Sequence, residues 1–285
     1  MTETVAAVID RGRALLAAAG IAAADLEARV LFEHAAGFDR AGLLAHGCDP
    51  VEPGAVTRFD NLLHQRGRRI PLAYVTGERE FWSLRLQVDR RVLVPRPETE
   101  TLVEAALDCL HPGDRVADVG TGSGAIIIAL AHELGSGDFQ GTDRSAGALE
   151  VARANATAHG LRPGIEFFQG DLLTPLAGRA RQLDAIVSNL PYIPSAELDD
   201  LQPEVRDHEP RIALDGGADG LAVIARLVAG APPLLRRGGW LLLEVGSGQA
   251  GTVRALLDRS GEFAGSSTRR DLAGIERVVL ARRAA

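Results

Sequence analysis

Apolar positions in the first seventy residues recur at the three-to-four spacing of amphipathic helices. Val5, Val8, Ile9, Leu15 and Leu16 mark a first helix that stops at Gly20. Leu26, Val30, Leu31 and Phe32 mark a second over residues 25–36, and residues 40–46 form a short third. Val56, Phe59, Leu62 and Leu63 give a fourth after Pro53, ending in the basic run Arg66, Arg68 and Arg69. The pattern predicts a small helical bundle with no chemistry of its own. Its histidines, His34, His46 and His64, stand singly and read as surface or packing residues. Residues 71–77 then read as a connector. Residues 82–88 alternate apolar and polar and, with Val92-Leu93-Val94, predict a β-hairpin turning through Asp89-Arg90-Arg91. Pro97 opens a helix that runs to Leu110, and Glu98 and Glu100 suit the positive end of its dipole.

From Arg115 onward short apolar strands alternate with helical stretches. Strands are predicted over residues 116–119, 139–143, 165–169, 184–188, 240–245 and 277–281. Helices are predicted over 125–134, 146–159, 221–235 (interrupted at Pro232-Pro233) and 251–258. Such alternation argues for an α/β fold, a doubly wound and mostly parallel sheet with helices on both faces. The organisation expected is a helical domain over 1–76, a hairpin linker over 77–95 and a catalytic domain over 96–285. Ligands of such sheets lie at the carboxyl ends of the strands.

Composition narrows the partners. The chain has 285 residues, 46% hydrophobic and 24% charged, ordinary for a soluble globular protein. Residues 1–20 carry Glu3, Asp10, Arg11 and Arg13 where a signal peptide would be apolar. No apolar run reaches the roughly 18 residues of a membrane span, so a cytoplasmic location is expected. Cys48 and Cys109 are too far apart to suggest a disulfide framework or a metal cluster, and no metal is expected. The net charge of −7 argues against a nucleic-acid partner. A monomer is expected. All 31 basic residues are arginine, a bias to which no mechanism attaches.

Two motifs carry chemistry. Asp118-Val119-Gly120-Thr121-Gly122-Ser123-Gly124 closes the first strand of the alternating region and opens a helix. Its glycines let backbone approach a ligand, and the helix N-terminus beyond supplies free N–H groups. Asp143 ends the next strand, where a carboxylate can accept both hydroxyls of a ribose. Asp171, after the third strand, falls where an adenine edge is expected. A dinucleotide formally fits this layout. Asp118 would repel its pyrophosphate, however, and S-adenosyl-L-methionine carries an ammonium instead, so the acidic glycine motif favours the sulfonium cofactor. The second motif is Asn189-Leu190-Pro191-Tyr192, which follows the apolar strand ending at Ser188. It offers an amide side chain, free carbonyls and a tyrosine, the parts needed to hold a planar –NH2 group.

Together these motifs resemble the class I (Rossmann-like) methyltransferases that modify amide or aromatic –NH2 nitrogens, in which the tetrapeptide is usually Asn-Pro-Pro-Tyr. Residues 76–82 (Thr-Gly-Glu-Arg-Glu-Phe-Trp), 94–100 (Val-Pro-Arg-Pro-Glu-Thr-Glu) and 208–214 (His-Glu-Pro-Arg-Ile-Ala-Leu) resemble the release factor glutamine methyltransferases, the HemK/PrmC family. The resemblance covers nearly the whole chain. It implies that Gly120, Thr121, Gly122, Ser123 and Gly124 wrap the methionine part of S-adenosylmethionine and that Asp143 holds the ribose. Asp171 and Leu172 would lie beside adenine, and Asn189, which also borders the cofactor, would form with Leu190, Pro191 and Tyr192 the catalytic and substrate site. Phe81, Trp82 and residues 96–100 would cover the cofactor or peptide. The implied substrate is the glutamine of the Gly-Gly-Gln motif in class 1 peptide chain release factors, which the helical domain would dock, and the implied by-product is S-adenosyl-L-homocysteine. The rival readings are an adenine N6-methyltransferase of RNA or DNA, a nicotinamide-dependent oxidoreductase, and a non-catalytic binding module.

Overall fold

The structure, a computed structural model, describes residues 3–162, 164–178 and 182–285. The chain divides into two compact units, Met1–Glu78 with Gln202–His208, and Arg79–Leu201 with Glu209–Ala285.

The first unit contains helices α1 (Val5–Ala18), α2 (Ala24–Ala36), α3 (Arg40–Ala45), α4 (Pro53–Gly67) and α5 (Leu72–Thr76). The predicted connector therefore holds a fifth, one-turn helix. Thr4 caps α1 and Glu52 caps α4 with side-chain acceptors, the devices that end orphan N–H groups at helix starts. Phe32 and Phe59 are fully buried and meet edge to face at 5.4 Å. Gly12 explains how α1 approaches them: a Cβ there would stand 2.5 Å from the Phe59 ring. A glycine inside a helix costs roughly 1 kcal/mol against alanine, and this contact is what it permits. Arg66 is 4% exposed and donates to Glu27 at 2.5 Å and to Glu204 at 2.8 Å, while Arg69 reaches the other Glu204 oxygen at 2.7 Å. These pairs tie the segment Gln202–His208 to α4.

The second unit opens on a hairpin. Strands β1 (Glu78–Phe81) and β2 (Leu84–Gln87) form a two-stranded sheet. The turn lies at Trp82-Ser83 and not at residues 89–91, and residues 92–94 form no strand. Both turn residues have positive φ, 52° and 58°, as a two-residue hairpin turn requires, but neither is the glycine or asparagine that signals one. Glu100 accepts the Trp82 N–H at 2.9 Å and Glu133 accepts the indole N–H at 2.7 Å, which holds the turn. The sequence then forms α6 (Glu100–Leu107), β3 (Arg115–Val119), α7 (Ala125–Leu134), β4 (Asp138–Asp143), α8 (Ala146–Ala158), β5 (Ile165–Gln169) and β6 (Leu183–Ser188). After α9 (Pro203–Arg206), which belongs to the first unit, come α10 (Ala222–Gly230), β7 (Leu235–Glu244), α11 (Ala250–Ser260), β8 (Phe263–Arg270) and β9 (Glu276–Arg283).

The seven-stranded sheet has the order β5-β4-β3-β6-β7-β9-β8. The first five strands are parallel, and β9 pairs antiparallel with both β7 and β8. Strand order reverses at β3, so the carboxyl ends of β3, β4 and β6 surround the switch point. Val116, Ala117 and Val119 and residues Ala185 to Val187 are all fully buried, which is why β6 reads as an apolar run and β3 as one broken only by Asp118. Two corrections apply at the far side. The helix predicted over 221–235 ends at Gly230, and β7 starts at Leu235, earlier than predicted. Strand β8 was not predicted, because it is a mostly exposed edge of Gly, Ser, Thr and Arg residues. Among the described residues no helix is long and apolar enough to cross a membrane.

Candidate active site

A cavity of about 480 Å³ opens at the carboxyl ends of β3, β4 and β6, within the size range of small-molecule sites. The glycine turn after β3 forms one wall. Gly120, Gly122 and Gly124 have φ of 76°, 55° and 83°, the left-handed region where a side chain is strained. A Cβ on Gly122 would meet nothing within 4 Å, so its demand is purely conformational. A Cβ on Gly124 would lie 2.9 Å from Ile128 and 3.3 Å from Ala152, so this glycine lets α7 and α8 close together. Asn155, buried in α8, donates to the Ser123 carbonyl at 2.9 Å and to the Gln87 carbonyl at 3.0 Å, and accepts the Gln87 N–H at 2.7 Å. One side chain thus fixes both the glycine turn and β2.

Two carboxyls lie under this wall. Asp143, at the end of β4, accepts the Gly122 N–H at 3.0 Å and the Ser145 N–H at 2.8 Å. It lines the cavity, and each oxygen keeps a further lone pair for a ligand. Burial raises its pKa, while those two N–H groups and Arg144 oppose the rise. Asp118 is fully buried; its Oδ2 accepts the Thr121 hydroxyl at 2.6 Å and its Oδ1 has no partner. Burial pushes Asp118 up to about 7, and the nearby Asp143 adds to the rise.

An aspartate in an unfolded chain titrates near 4. Between about pH 4 and 7 the folded protein therefore holds a proton that the unfolded chain has lost, and the contribution of Asp118 to stability falls as pH rises through that window. Asp118→Asn removes this loss. Thermal melts of the ligand-free protein are expected to favour the variant increasingly from pH 5 to pH 8, with the difference in Tm moving by about 5 °C. A difference independent of pH contradicts this account of Asp118.

The tetrapeptide after β6 forms the facing wall. Asn189, Leu190 and Pro191 line the cavity. The Asn189 amide donates to Thr99 Oγ1 at 3.1 Å. Leu190 is buried and packs on Gly120, where a Cβ would come within 3.0 Å of its Cδ2. Gly120, Thr121, Gly122, Ser123, Asp143, Asp171 and Leu172 border the same cavity. Leu172 adopts φ 49°, and its carbonyl accepts the Thr142 hydroxyl at 2.9 Å. Asp171 is ion-paired with Arg226.

Two residues of the glycine turn and the tetrapeptide are not on the cavity lining. Gly124 lies behind the turn as the start of α7, outside the lining. Tyr192 is also outside it; its hydroxyl points to Glu244 at 3.4 Å, and burial raises its pKa to about 12. Nor do Phe81 and Trp82 cover the cavity: Phe81 is buried in the core beside β2, and Trp82 occupies the hairpin turn. Of residues 96–100, Arg96 and Thr99 do line it. Sequence reasoning missed Arg91, Ile126, Arg211, Ile212, Val223 and Arg226 on its walls. It also missed Glu209, whose buried carboxylate holds the Arg96 guanidinium at 2.5 Å and the Val94 N–H at 3.2 Å. The Pro-Arg-Pro and His-Glu-Pro-Arg stretches are therefore partners in space, a relation that the spacing of the sequence does not carry.

Residues 7–77 match the PrmC N-terminal domain and residues 116–208 match a methyltransferase domain. A release factor glutamine methyltransferase of Geobacter sulfurreducens is 43% identical over 97% of this chain and 95% of its own length. One of Moorella thermoacetica is 45% identical over 94% of each chain. The chain belongs to the release factor glutamine methyltransferase family. Membership accounts for the pairing of a helical bundle with a methyltransferase sheet in a single sequence. It also sets the fold beside that of the 16S rRNA N2 G1207 methyltransferase of T. thermophilus, solved in complex with AdoMet and guanosine. That structure superposes with a TM-score of 0.51 at 18% identity, covering 72% of this chain and 49% of its own, and shares the class I methyltransferase fold.

Proposed function

We propose that this protein transfers a methyl group from S-adenosyl-L-methionine to the side-chain amide nitrogen of the Gly-Gly-Gln glutamine in class 1 peptide chain release factors. The observation that carries the proposal is that Asn189 and Leu190 face the same cavity as the glycine turn and Asp143. The residues suit the cofactor. Gly122 bends backbone toward open space, the free lone pairs of Asp143 match a ribose diol, and Leu172, Ile126 and Val223 give apolar surface for an adenine. Bound there, S-adenosylmethionine supplies an electrophilic sulfonium methyl.

The chain's task is to make an amide nitrogen reactive. Its lone pair is delocalised into the carbonyl, as in a peptide bond. Asn189 Oδ1 and the Leu190 carbonyl would each accept one N–H of the target amide and leave the nitrogen face open toward the glycine turn. Fixing that orientation can supply several kcal/mol of the barrier. The two carbonyl dipoles stabilise positive charge as it grows on nitrogen. No side-chain base is assigned, and the N–H proton that the methyl group replaces would leave to solvent. The helical unit we read as the part that docks the release factor.

The names of the relatives favour glutamine over the adenine alternative. Incubation with methyl-labelled S-adenosylmethionine tests the choice. Label is expected in release factor, absent from a release factor whose Gly-Gly-Gln glutamine is replaced, and absent from RNA and DNA. Label in nucleic acid alone would overturn the reading.

A further inference from the structure

Thr99 ends a 3₁₀ turn, Pro97–Thr99, that runs into α6, and its own φ and ψ of −66° and −21° are helical, so it is not placed as a cap. Its side chain makes no capping bond. The buried hydroxyl instead accepts Asn189 Nδ2 at 3.1 Å. It also favours the ionised form of the neighbouring Glu244 carboxyl, which ends β7 and is 1% exposed. The Tyr192 hydroxyl donates to Oε1 of that carboxyl at 3.4 Å, and Oε2 has no partner. A buried carboxylate short of partners is costly and calls for a reason.

The single Thr99 hydrogen could serve two acceptors, the neighbouring Glu244 carboxylate or, were the amide turned over, the oxygen of Asn189. A bond to an ionised acceptor is roughly twice as strong as a neutral one. Thr99 therefore donates to Glu244 and must accept from Asn189, which only Nδ2 can supply. Oδ1 is left facing away from Thr99, and among the described residues no group donates to it. We propose that Thr99 and Glu244 are positioning residues that lock the Asn189 amide with Oδ1 presented to the cavity as acceptor for the target –NH2. The inference rests on the role given to Asn189 above. Without the relay the amide can turn its own NH2 to the target, and donor would face donor.

Burial raises Glu244 to about 7; Glu98 adds to the rise, and Thr99, Arg277 and Tyr192 oppose it. At pH 8.5 the carboxylate prevails, and the test is run there on the full chain. Of the two Nδ2 hydrogens of Asn189, assigned by their absence from Asn189→Ala, the one bonded to Thr99 is expected to exchange slowly with solvent in the wild type and in Thr99→Ser. In Thr99→Val both are expected to exchange as fast as an exposed amide. On release factor, kcat is expected to fall about tenfold in Thr99→Val, as the loss of one such bond implies, and to return near wild type in Thr99→Ser. Glu244→Gln keeps the volume but accepts or donates equally well, so a fall of about fivefold is expected from it. The affinity for S-adenosylmethionine should hold in all three variants. Fast exchange of both Asn189 Nδ2 hydrogens in the wild type overturns the proposal. So does a folded Thr99→Val with wild-type turnover, or a Thr99→Ser that falls as far as Thr99→Val. If Thr99→Val does not fold, an unchanged kcat in Glu244→Gln overturns it. A wild type that binds cofactor but never methylates release factor contradicts the proposed function instead, and the exchange measurement still decides the relay.

Discussion

Asn189→Ala is expected to lower turnover on release factor about a hundredfold to a thousandfold while S-adenosylmethionine binds as before. The size follows from what one preorganised dipole at a reacting centre is worth when it is removed. Asn189 leaves β6 at the rim of the cavity with its amide nitrogen tied to Thr99. Alanine removes the only side-chain acceptor that the tetrapeptide offers the target amide. The effect should fall on kcat more than on the affinity for cofactor, because Asp143 and the glycine turn are untouched. Steady-state kinetics with calorimetric titration of the cofactor separate the two quantities. A variant that loses cofactor binding with its fold intact would move Asn189 into a purely cofactor role.

The complementary loss is expected at Asp143. Asp143→Ala should weaken S-adenosylmethionine binding by at least about a hundredfold, since two hydrogen bonds to a charged acceptor are each worth roughly 1.5–3 kcal/mol. Part of the effect is indirect, because Asp143 also accepts the Gly122 N–H and so holds the glycine turn in shape. The ligand-free fold should not suffer in proportion. Burial already raises the Asp143 pKa, so the ionised side chain is an electrostatic burden at neutral pH when no ligand is bound. Titration calorimetry on folded Asp143→Ala checks the first statement and a thermal melt the second. Unchanged affinity would place the ribose elsewhere.

What could be read in the sequence follows a physical line. The strands that carry the site are buried on both faces, so β6 appears as an apolar run and β3 as one broken only by Asp118, and the motifs stand where those runs stop. The glycine turn was legible because glycine adopts such positive φ angles at the least cost. Edge strand β8 was not, since polar residues on an exposed edge carry no periodicity that separates them from a loop. The Trp82-Ser83 turn was hidden because tertiary hydrogen bonds to Glu100 and Glu133 hold it, in place of local turn chemistry. Gly12, Glu204 and Glu209 were silent for the same reason: the partners of each are distant in sequence. Tyr192 shows the limit of motif reading. Nothing in the tetrapeptide indicates that its hydroxyl meets Glu244, 52 residues further on, at 3.4 Å.

The most direct test is fragment mass spectrometry of purified release factor after incubation with this protein and S-adenosylmethionine, with Asn189→Ala in parallel. The account predicts one added methyl group on the side chain of the Gly-Gly-Gln glutamine, absent with the variant. A release factor that stays unmodified while the wild-type protein binds cofactor, or a methyl group on any other residue, would contradict it.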